Sequence, residues 1–461
     1  MKTYQDLLGV GIDEHERINF ILAAINEHRS SHEYRLAINA EKYYEGENPT
    51  IMHYEKIIHD IYGRSYVDEC AANHKIASKF FGFAVDQASS YLLGNGITFA
   101  KEDTKEKLGA DFDINILDAA TVAQIEGKAF VLWNYNETKV FRFIEFAPLY
   151  DEDNSALMAG IRFWQVAPDK PLRATLYELD GYTDYIQREG EEMQILQAKR
   201  PYIQIIRQSD IDGVEIYGGE NYPGFPIVPL RNGKLGKSEL CGRQNTIDAL
   251  DLATSNMVNN VDEGNLIYWA IQNAGGMSEE DDTEFIDRVR RIHVAHTNEE
   301  TQAEPHTIEA PFAGTEATID VLKRQLYEDF QAFDSSAVSA GNQTATAIQA
   351  SYVPLDLKCD KIETEVTRCI NGILQLAGID DKPTYERNRI INRSEEIQTI
   401  LMGAQYLDDE YIIKKILTIM GDADQYDEIM RRHDAEDMER LDVAVQSAKT
   451  EIEGMPDAEN R

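Results

Sequence analysis

The segment SSAVSAGNQTATAIQASYVPLDLKCDKIETEVTRCINGI, residues 335–373, joins two different patterns. Its first ten residues (335–344) include no large side chain, which is typical of a loop in a crowded place. The residues after them have a helical period and predict one long helix, with its apolar face at Ile348, Tyr352, Leu355, Cys359, Ile362, Val366, Ile370 and Ile373. Pro354 lies inside this pattern and predicts a kink or a break, because proline removes a helical hydrogen bond and clashes with the preceding turn.

Two further helical patterns precede this segment and bracket a shorter module. Apolar residues of the first pattern are Leu240, Ile247, Leu250, Met257 and Val261, with Thr254 in the same register. Apolar residues of the second are Ile319, Leu322, Leu326 and Phe330. Thr315 is the predicted N-cap of the second helix, since a threonine oxygen can accept from the first free amides.

The period changes to two between about Gly127 and Val228, where β-branched and aromatic residues alternate with polar ones. Short polar turns separate these runs, so we expect an antiparallel meander. The segment YPGFPIVP (222–229) is predicted to end the sheet, because proline cannot donate to an inner ladder.

The N-terminal part predicts helices. Asp13 is placed to cap one of them, with Glu16 positioned to complete a capping box. A second helix is predicted from Ile76 to Tyr91 and ends at Gly94-Asn95-Gly96, where glycine can take the left-handed conformation.

Composition limits the function. Acidic residues outnumber basic ones 82 to 45, for a net charge of −37. That charge argues against wrapping duplex DNA, which needs clustered lysine and arginine, but an acidic wall would let DNA pass without binding it. Solubility alone is the other explanation of the charge.

Three features of the sequence indicate the cellular compartment of the protein. No apolar run approaches the roughly 18 residues that span a bilayer, and the first residues lack the apolar core of a signal peptide. Cys70, Cys241, Cys359 and Cys369 are scattered and predict buried, reduced thiols, hence assembly in the cytoplasm.

The sequence gives only weak signals for a metal or catalytic site. His293 and His296, with Glu304 and His306 nearby, lack the converging ligands of a zinc site, so we expect no metal. The other histidines tested as ligands, at His53, His59 and His74, are expected to be scattered polar residues on helices. The sequence has no phosphate-binding P-loop and no nucleophile elbow. We therefore expect neither a cofactor nor an enzymatic activity.

The order of segments resembles the portal proteins of long-tailed phages, in the family typified by phages of Gram-positive bacteria. The likeness extends over nearly the whole chain, and Gly96 stands where the family usually has proline. The segments that carry it are YYEGENP (43–49), YLLGNGITF (91–99), PIVPLRNG (226–233), IDAL (247–250) with Ser255-Asn256, GNQTATAI (341–348) and NRIINRSEE (388–396).

This resemblance implies an α+β portal-type fold in a ring of usually twelve copies at one capsid vertex. The implied parts are an α/β wing (1–235), stem helix one (236–270), a small α/β clip (271–312), stem helix two (313–334), a tunnel loop (335–344), a long kinked wing helix (345–380) and a helical crown with an acidic tail (381–461).

The resemblance also implies a function in which double-stranded DNA is packaged and ejected through the ring, without sequence specificity. The implied partners are other copies of the chain, the packaging ATPase (the large terminase subunit), the head–tail adaptor, and the major capsid and scaffolding proteins. No membrane is involved. The protein would assemble in the host cytoplasm and end in the virion.

Particular residues receive roles from this resemblance. Those of the tunnel loop facing DNA are Ser335, Ser336, Ala337, Val338, Ser339, Ala340, Gly341, Asn342, Gln343 and Thr344. Those of the clip that dock the motor or adaptor are Arg288, Arg290, Arg291, His293 and His296, although ordinary surface salt bridges would also explain the arginines. Pro354 would be a hinge between loop and wing.

Two alternatives come from other classes. A phage enzyme that modifies DNA would need a metal-dependent carboxylate site, detectable as magnesium-dependent cleavage. An acidic head adaptor or scaffold protein that forms no ring would be separated from a portal by particle size.

Overall fold

The computed structural model describes residues 2–59, 62–68, 71–101, 103–209, 213–264, 268–272, 302–306, 312–336, 345–388, 393–422, 425–426 and 428–432. The chain divides into two compact units, Met1–Asn388 and Arg389–Arg461. Helices and antiparallel strands both occur in the first unit, which confirms the mixed helix-and-sheet class expected from the two periods.

The helices of the first unit are α1 (Tyr4–Val10), α2 (Glu14–Ser30), α3 (His32–Glu45), α4 (Pro49–Met52), α5 (Phe80–Leu93), α6 (Asp103–Leu108), α7 (Phe112–Glu126), α8 (Gln244–Gly264), α9 (Phe312–Asp329), α10 (Ala345–Ser351) and α11 (Val353–Ala377). Asp13 caps α2 as predicted, since its side chain accepts from the Glu16 amide. A complete capping box occurs at α1 instead, between Thr3 and Asp6.

Two local expectations about helix ends were wrong, at Ile76 and Thr315, and the one about the glycines was confirmed at Gly96. Ile76 lies in an extended segment before α5. Gly94 keeps a right-handed φ of −63°, and Gly96 is the left-handed residue, with φ of 80°. Proline is restricted to φ near −65°, so glycine at 96 suits a turn that proline could not form. Thr315 lies inside the first turn of α9 and is not its cap.

The strands are β1 (Ile57–His59), β2 (Ser65–Val67), β3 (Ile97–Phe99), β4 (Lys128–Asn134), β5 (Glu137–Arg142), β6 (Phe146–Tyr150), β7 (Leu157–Trp164), β8 (Leu172–Glu178), β9 (Gly181–Gln187), β10 (Gln194–Arg200), β11 (Ile203–Ser209), β12 (Gly213–Glu220), β13 (Ile227–Arg231), β14 (Tyr268–Gln272), β15 (Gln302–His306) and β16 (Pro383–Tyr385).

The β-rich region is a meander only in part. Strands β6 to β10 form a five-stranded antiparallel sheet in sequence order, as expected. A separate three-stranded sheet has the order β13-β4-β5, and β11 and β12 form a two-stranded sheet. The proline-rich segment does not end the sheet. It continues into β13, an edge strand in which Pro229 lies opposite Phe130, because only an edge strand tolerates a residue without an amide proton.

Four apolar clusters hold these layers together, and two of them position the sheets and the helices α5 and α11. Phe20, Ile21 and Ile25 of α2 pack on one face of the five-stranded sheet. The largest cluster joins α5, α7, β4 and α11, and includes Leu92, Ile116 and Val366. Each such fully buried side chain stabilises the fold by about 1.5–3 kcal/mol relative to an exposed one. The cores thereby fix α5 and α11, the two helices that hold the site described below.

The second unit contains α12 (Arg393–Gly403) and α13 (Asp409–Met420), with a short 3₁₀ turn between them.

The expectation that the cysteines are buried was wrong at Cys241, which is exposed. Cys359 and Cys369 are buried free thiols, and Cys70 lies outside the described residues. Of the helices that the structure describes, none combines the length and apolarity needed to cross a membrane.

Candidate functional site

Helices α8 and α9 pack side by side and form the first element of the site. Beyond the end of α8 and before the start of α9, the chain forms the antiparallel ribbon β14–β15, in which Tyr268 pairs with His306 and Gln272 with Gln302. The two helices predicted in this part of the chain are present. Residues 273–301 of the module predicted between them lie outside the described residues, and with them Arg288, Arg290, Arg291, His293 and His296.

The base of the helix pair is an apolar cluster shared with α3, α5 and α7. Phe330, which follows α9, is fully buried there. Phe80 meets Tyr327 edge to face, with ring centroids 5.0 Å apart, and Phe81 lies 5.9 Å from Phe330. Aromatic pairs of this geometry stabilise beyond their buried area, so the base of the helix pair is firmly anchored in the first unit.

A charged joint connects the same base to the long helix α11. Arg243 donates to the carbonyl oxygen of Asp329 at 2.7 Å and to Oε2 of Glu239 at 2.8 Å. Lys358 of α11 lies 3.9 Å from the same Glu239 carboxylate and is 4% exposed. Burial lowers the pKa of Lys358, because its charged form loses hydration, and Glu239 only partly offsets that loss.

One face of α8 binds the extended segment that precedes α5. Asp251, Ser255 and Asn259 are four residues apart and share this face. Each accepts a backbone N–H from alternate residues of the segment: Ser78 to Asp251 at 3.1 Å, Ile76 to Ser255 at 3.0 Å and His74 to Asn259 at 2.7 Å. Two residues of extended chain rise about 6.6 Å and four helical residues about 6.0 Å, so the two spacings match.

The same face continues toward the start of α8. Asp248 accepts from the hydroxyl of Tyr43 at 2.6 Å and from that of Thr50 at 3.1 Å. The amide of Asn48 donates to both Asp248 and Asp251, at 3.0 and 2.8 Å. Burial raises the pKa of Asp251, whereas the hydrogen bonds from Asn48 and Ser78 oppose that shift. The two carboxylates therefore fasten α8 to the start of α4.

The described residues on both sides of the small-residue segment 335–344 are held by specific contacts. Gln87 of α5 donates to the carbonyl oxygen of Phe333 at 2.9 Å and accepts from its amide at 2.8 Å. Phe333 also stacks on Tyr352, with centroids 4.1 Å apart and planes at 9°. Ser336 donates its amide and hydroxyl to Asp334, at 2.9 and 2.6 Å. Residues 337–344 lie outside the described residues.

The predicted break at Pro354 is present. Helix α10 ends at Ser351 and α11 starts at Val353, with Tyr352 between them. Pro354 lies in the first turn of α11, where its missing N–H removes no helical bond. On the other side, Arg387 binds Asp356, Asp360 and Glu363 of α11, which raises the pKa of Arg387 and fixes the first turns of that helix.

The expectation that three of the histidines lie on helices was wrong. His53 follows α4, His59 lies in β1 and His74 lies in the extended segment, where it contacts Asp262. Across the part of the chain that the structure describes, no three His, Cys, Asp or Glu side chains are grouped to hold a metal ion.

Sequence reasoning missed the polar face of α8 and the Arg243 joint. The spacing of Asp248, Asp251, Ser255, Asn259 and Asp262 at three and four residues was visible and could have indicated a bound face. Such a stripe usually faces solvent, however, and its partners near residues 43–78 are distant in sequence.

The chain matches the family model described as "Phage portal protein, SPP1 Gp6-like" over residues 24–440. The portal protein of Clostridium phage phiCD119 is 23% identical over 359 residues, covering 70% of this chain and 77% of the relative. The portal protein of Bacillus phage SPP1 is 24% identical over 403 residues, covering 78% of this chain and 76% of the relative.

Two solved structures resemble the fold more distantly. One is described as the virion of a native gene transfer agent (GTA) particle; its TM-score is 0.44 and its identity 11%, covering 73% of this chain and 89% of that chain. The other is described as the neck of an empty GTA particle computed with C6 symmetry; its TM-score is 0.44 and its identity 10%, covering 74% and 90%.

The family model covers most of the chain, including the helix pair, the small-residue loop and the long helix. Members of this family are structural components of the virion rather than enzymes. The chain therefore belongs to the SPP1 Gp6-like family of phage portal proteins.

Proposed function

We propose that twelve copies of this portal subunit form a ring at one capsid vertex, through which double-stranded DNA is packaged and later ejected. The observation that supports this most is the position of the small-residue loop, which starts directly after the helix pair and has both ends fixed by Gln87 and the Phe333–Tyr352 stack. A loop with short side chains and fixed ends suits a narrow place that many copies share around an axis.

The parts of the chain receive their portal roles on the same basis. Residues 1–235 form the wing, α8 (within 236–270) and α9 (within 313–334) the stem, 271–312 the clip, 335–344 the tunnel loop, 345–380 the long wing helix and 381–461 the crown with its tail. The net charge of −37 per subunit favours sliding of DNA over binding, because an acidic channel repels phosphates.

The partners follow from these roles. The clip docks the packaging ATPase and afterwards the head–tail adaptor, with Arg288, Arg290, Arg291, His293 and His296 as the docking residues. The wing and crown contact the major capsid and scaffolding proteins during assembly in the host cytoplasm. The subunit itself has no catalytic activity, so the ATPase supplies the energy of packaging.

The helix break supplies a hinge. Pro354 prevents α10 and α11 from joining smoothly, and Tyr352 between them stacks on Phe333 at the other end of the loop. Movement of the tunnel loop would thereby reach α11, whose first turns are held by Arg387.

The first test is the mass and symmetry of the purified protein, by light scattering and electron-microscope class averages. A ring of about twelve subunits with a central hole wide enough for duplex DNA is expected. Two variants extend the test: Ala340→Trp in the tunnel loop and its control Ala198→Trp on the exposed strand β10. Both proteins should still form rings. Only Ala340→Trp should stop DNA packaging, and a monomer with magnesium-dependent nuclease activity would end the proposal.

A further inference from the structure

A cationic pocket lies where the three-stranded sheet meets the chain entering the stem. Arg231 of β13 and Lys128 of β4 are directly opposite each other in the antiparallel ladder. Together with Tyr150, Ser155 and Leu235 they line a cavity of about 250 Å³. Two positive side chains directly opposite on neighbouring strands repel each other, so this cross-strand pair needs negative charge close by.

The carboxylate of Glu33 balances one of the two cations, Lys128. Lys128 pairs with Glu33 at 2.9 Å, and that carboxylate is mostly exposed. Arg231 forms no ion pair with any carboxylate among the residues that the structure describes, and its neighbour is the hydroxyl of Tyr150. Burial raises the pKa of Tyr150, while Arg231 acts in the opposite direction, so the phenol stays protonated and able to donate.

The turn that carries Ser155 contains three acidic residues, Asp151, Glu152 and Asp153. The carboxylates of the first two are bound elsewhere. Asp151 accepts from the amides of that turn and from Gln5 at 3.0 Å, and Glu152 accepts from the hydroxyl of Thr3 at 2.7 Å. These two carboxylates hold the start of α1 against the turn. Asp153 is exposed, and it forms no ion pair with Arg231.

We propose that the Arg231 pocket receives a carboxylate side chain from a neighbouring copy of this chain, which also covers the exposed Leu235. This inference rests on the ring proposed above. A second copy is the occupant that charge complementarity favours, because the chain has 82 acidic and 45 basic residues. One carboxylate balances the single positive charge left by Arg231, Lys128 and Glu33, and it would accept from both the guanidinium and the phenol.

The test compares Arg231→Gln with Arg188→Gln, which removes the same charge from an exposed site at the end of the five-stranded sheet. Ring assembly is followed by light scattering over a series of subunit concentrations and salt concentrations. Arg231→Gln should need roughly tenfold more protein for half-assembly, and its assembly should depend less on salt, because a charge-assisted contact is lost. Arg188→Gln should assemble like wild type. Equal assembly of all three proteins would overturn the proposal.

A second measurement separates the pocket from the ring. The melting temperature of the unassembled subunit is measured in sodium phosphate and in sodium chloride of equal ionic strength. Phosphate should raise it by about 1–2 °C in wild type and in Arg188→Gln, and not in Arg231→Gln. No effect on wild type would mean that the pocket binds no anion. A phosphate effect together with normal assembly of Arg231→Gln would make it a site for small anions and overturn the role of a neighbouring copy. If wild type formed no rings, the proposed ring would be wrong. The phosphate measurement would still decide whether the pocket binds anions.

Discussion

Phe333 and Tyr352 stack with their ring centroids 4.1 Å apart and their planes at 9° to each other. They lie on opposite sides of residues 335–344, so the stack brings together the chain before and after this small-residue segment. Tyr91 extends the stack, 5.7 Å from Tyr352 at 13°. The base of the loop is thus built on α5, independently of the residues within the loop itself.

Phe333→Leu should loosen the base of the loop without emptying the core. Leucine keeps an apolar side chain but loses the ring contact, so we expect a loss of about 1–2 kcal/mol in the free energy of unfolding. Protease cleavage within 335–344 should become faster. Urea unfolding and limited proteolysis would measure both. The control is Phe83→Leu, at a side chain that is 42% exposed, and an equal effect in the two variants would contradict the role of the stack.

Pro354→Ala should remove the enforced break between α10 and α11. Alanine favours a continuous helix, so the loop would become coupled rigidly to α11 and DNA packaging should fall while rings still form. Packaging assays and class averages of the rings measure this. Pro168→Ala, in an exposed turn of the five-stranded sheet, is the matched control. Unchanged packaging and an unchanged ring in Pro354→Ala would count against a hinge at this position.

Local patterns predicted the elements of the fold, and distant contacts decided how they combine. The helical period after Thr344 predicted α11, and Pro354 predicted its break, because both depend on neighbours within a turn. The sequence did not show that Pro229 would lie in an edge strand. That depends on β4, about one hundred residues earlier, offering only one free side for β13 to pair with.

The candidate site was predicted less completely, for a related physical reason. Small side chains at 335–344 indicate a crowded loop whatever their partners are. The polar residues Asp251, Ser255 and Asn259 have the same spacing as a solvated helix face, and only the three backbone amides of the segment His74–Ser78 distinguish the two. Hydrogen bonding between segments so far apart leaves no periodic signal in either one alone.

His28 should make stability depend on pH. It is buried, and its Nε2 lies 2.8 Å from the carbonyl oxygen of Phe143. Burial lowers the pKa of His28 to about 4, with Lys128 and Arg29 acting in the same direction and the carbonyl of Phe143 and Glu33 opposing it. Between pH 4 and the unfolded value of about 6.5 the unfolded chain binds the extra proton, so stability should rise with pH over this window by roughly 3 kcal/mol.

His28→Gln keeps a donor for Phe143 and lacks a titrating ring, so its stability should change less between pH 4 and 6.5 than that of wild type. Urea unfolding at a series of pH values measures the difference between the two proteins. The exposed His15→Gln serves as the control and should follow wild type. A pH dependence in His28→Gln as steep as in wild type would show that other groups cause it.

Lys358→Met should stabilise the subunit, although it removes a charged partner of Glu239. The ammonium group is deeply buried and only 3.9 Å from that carboxylate, so burial outweighs the attraction and lowers the pKa of Lys358. Glu239 keeps its contact with Arg243 at 2.8 Å and is not left alone. Methionine has a similar length and no charge to desolvate, and we expect a gain of about 1 kcal/mol near neutral pH.

The direction in which stability changes with pH also tests whether burial of Lys358 outweighs its attraction to Glu239. A lysine whose folded pKa is lowered binds fewer protons than the unfolded chain, so wild-type stability should rise as pH increases from that lowered pKa toward about 10.5. Lys358→Met should lose this rise, as measured by thermal unfolding from neutral to alkaline pH. Lys361→Met, three residues further along α11 and exposed, should stay within about 0.5 kcal/mol of wild type. A clear loss of stability in Lys358→Met alone would mean that the lysine stabilises the contact between α11 and the base of the α8–α9 pair, and that its attraction to Glu239 outweighs its burial.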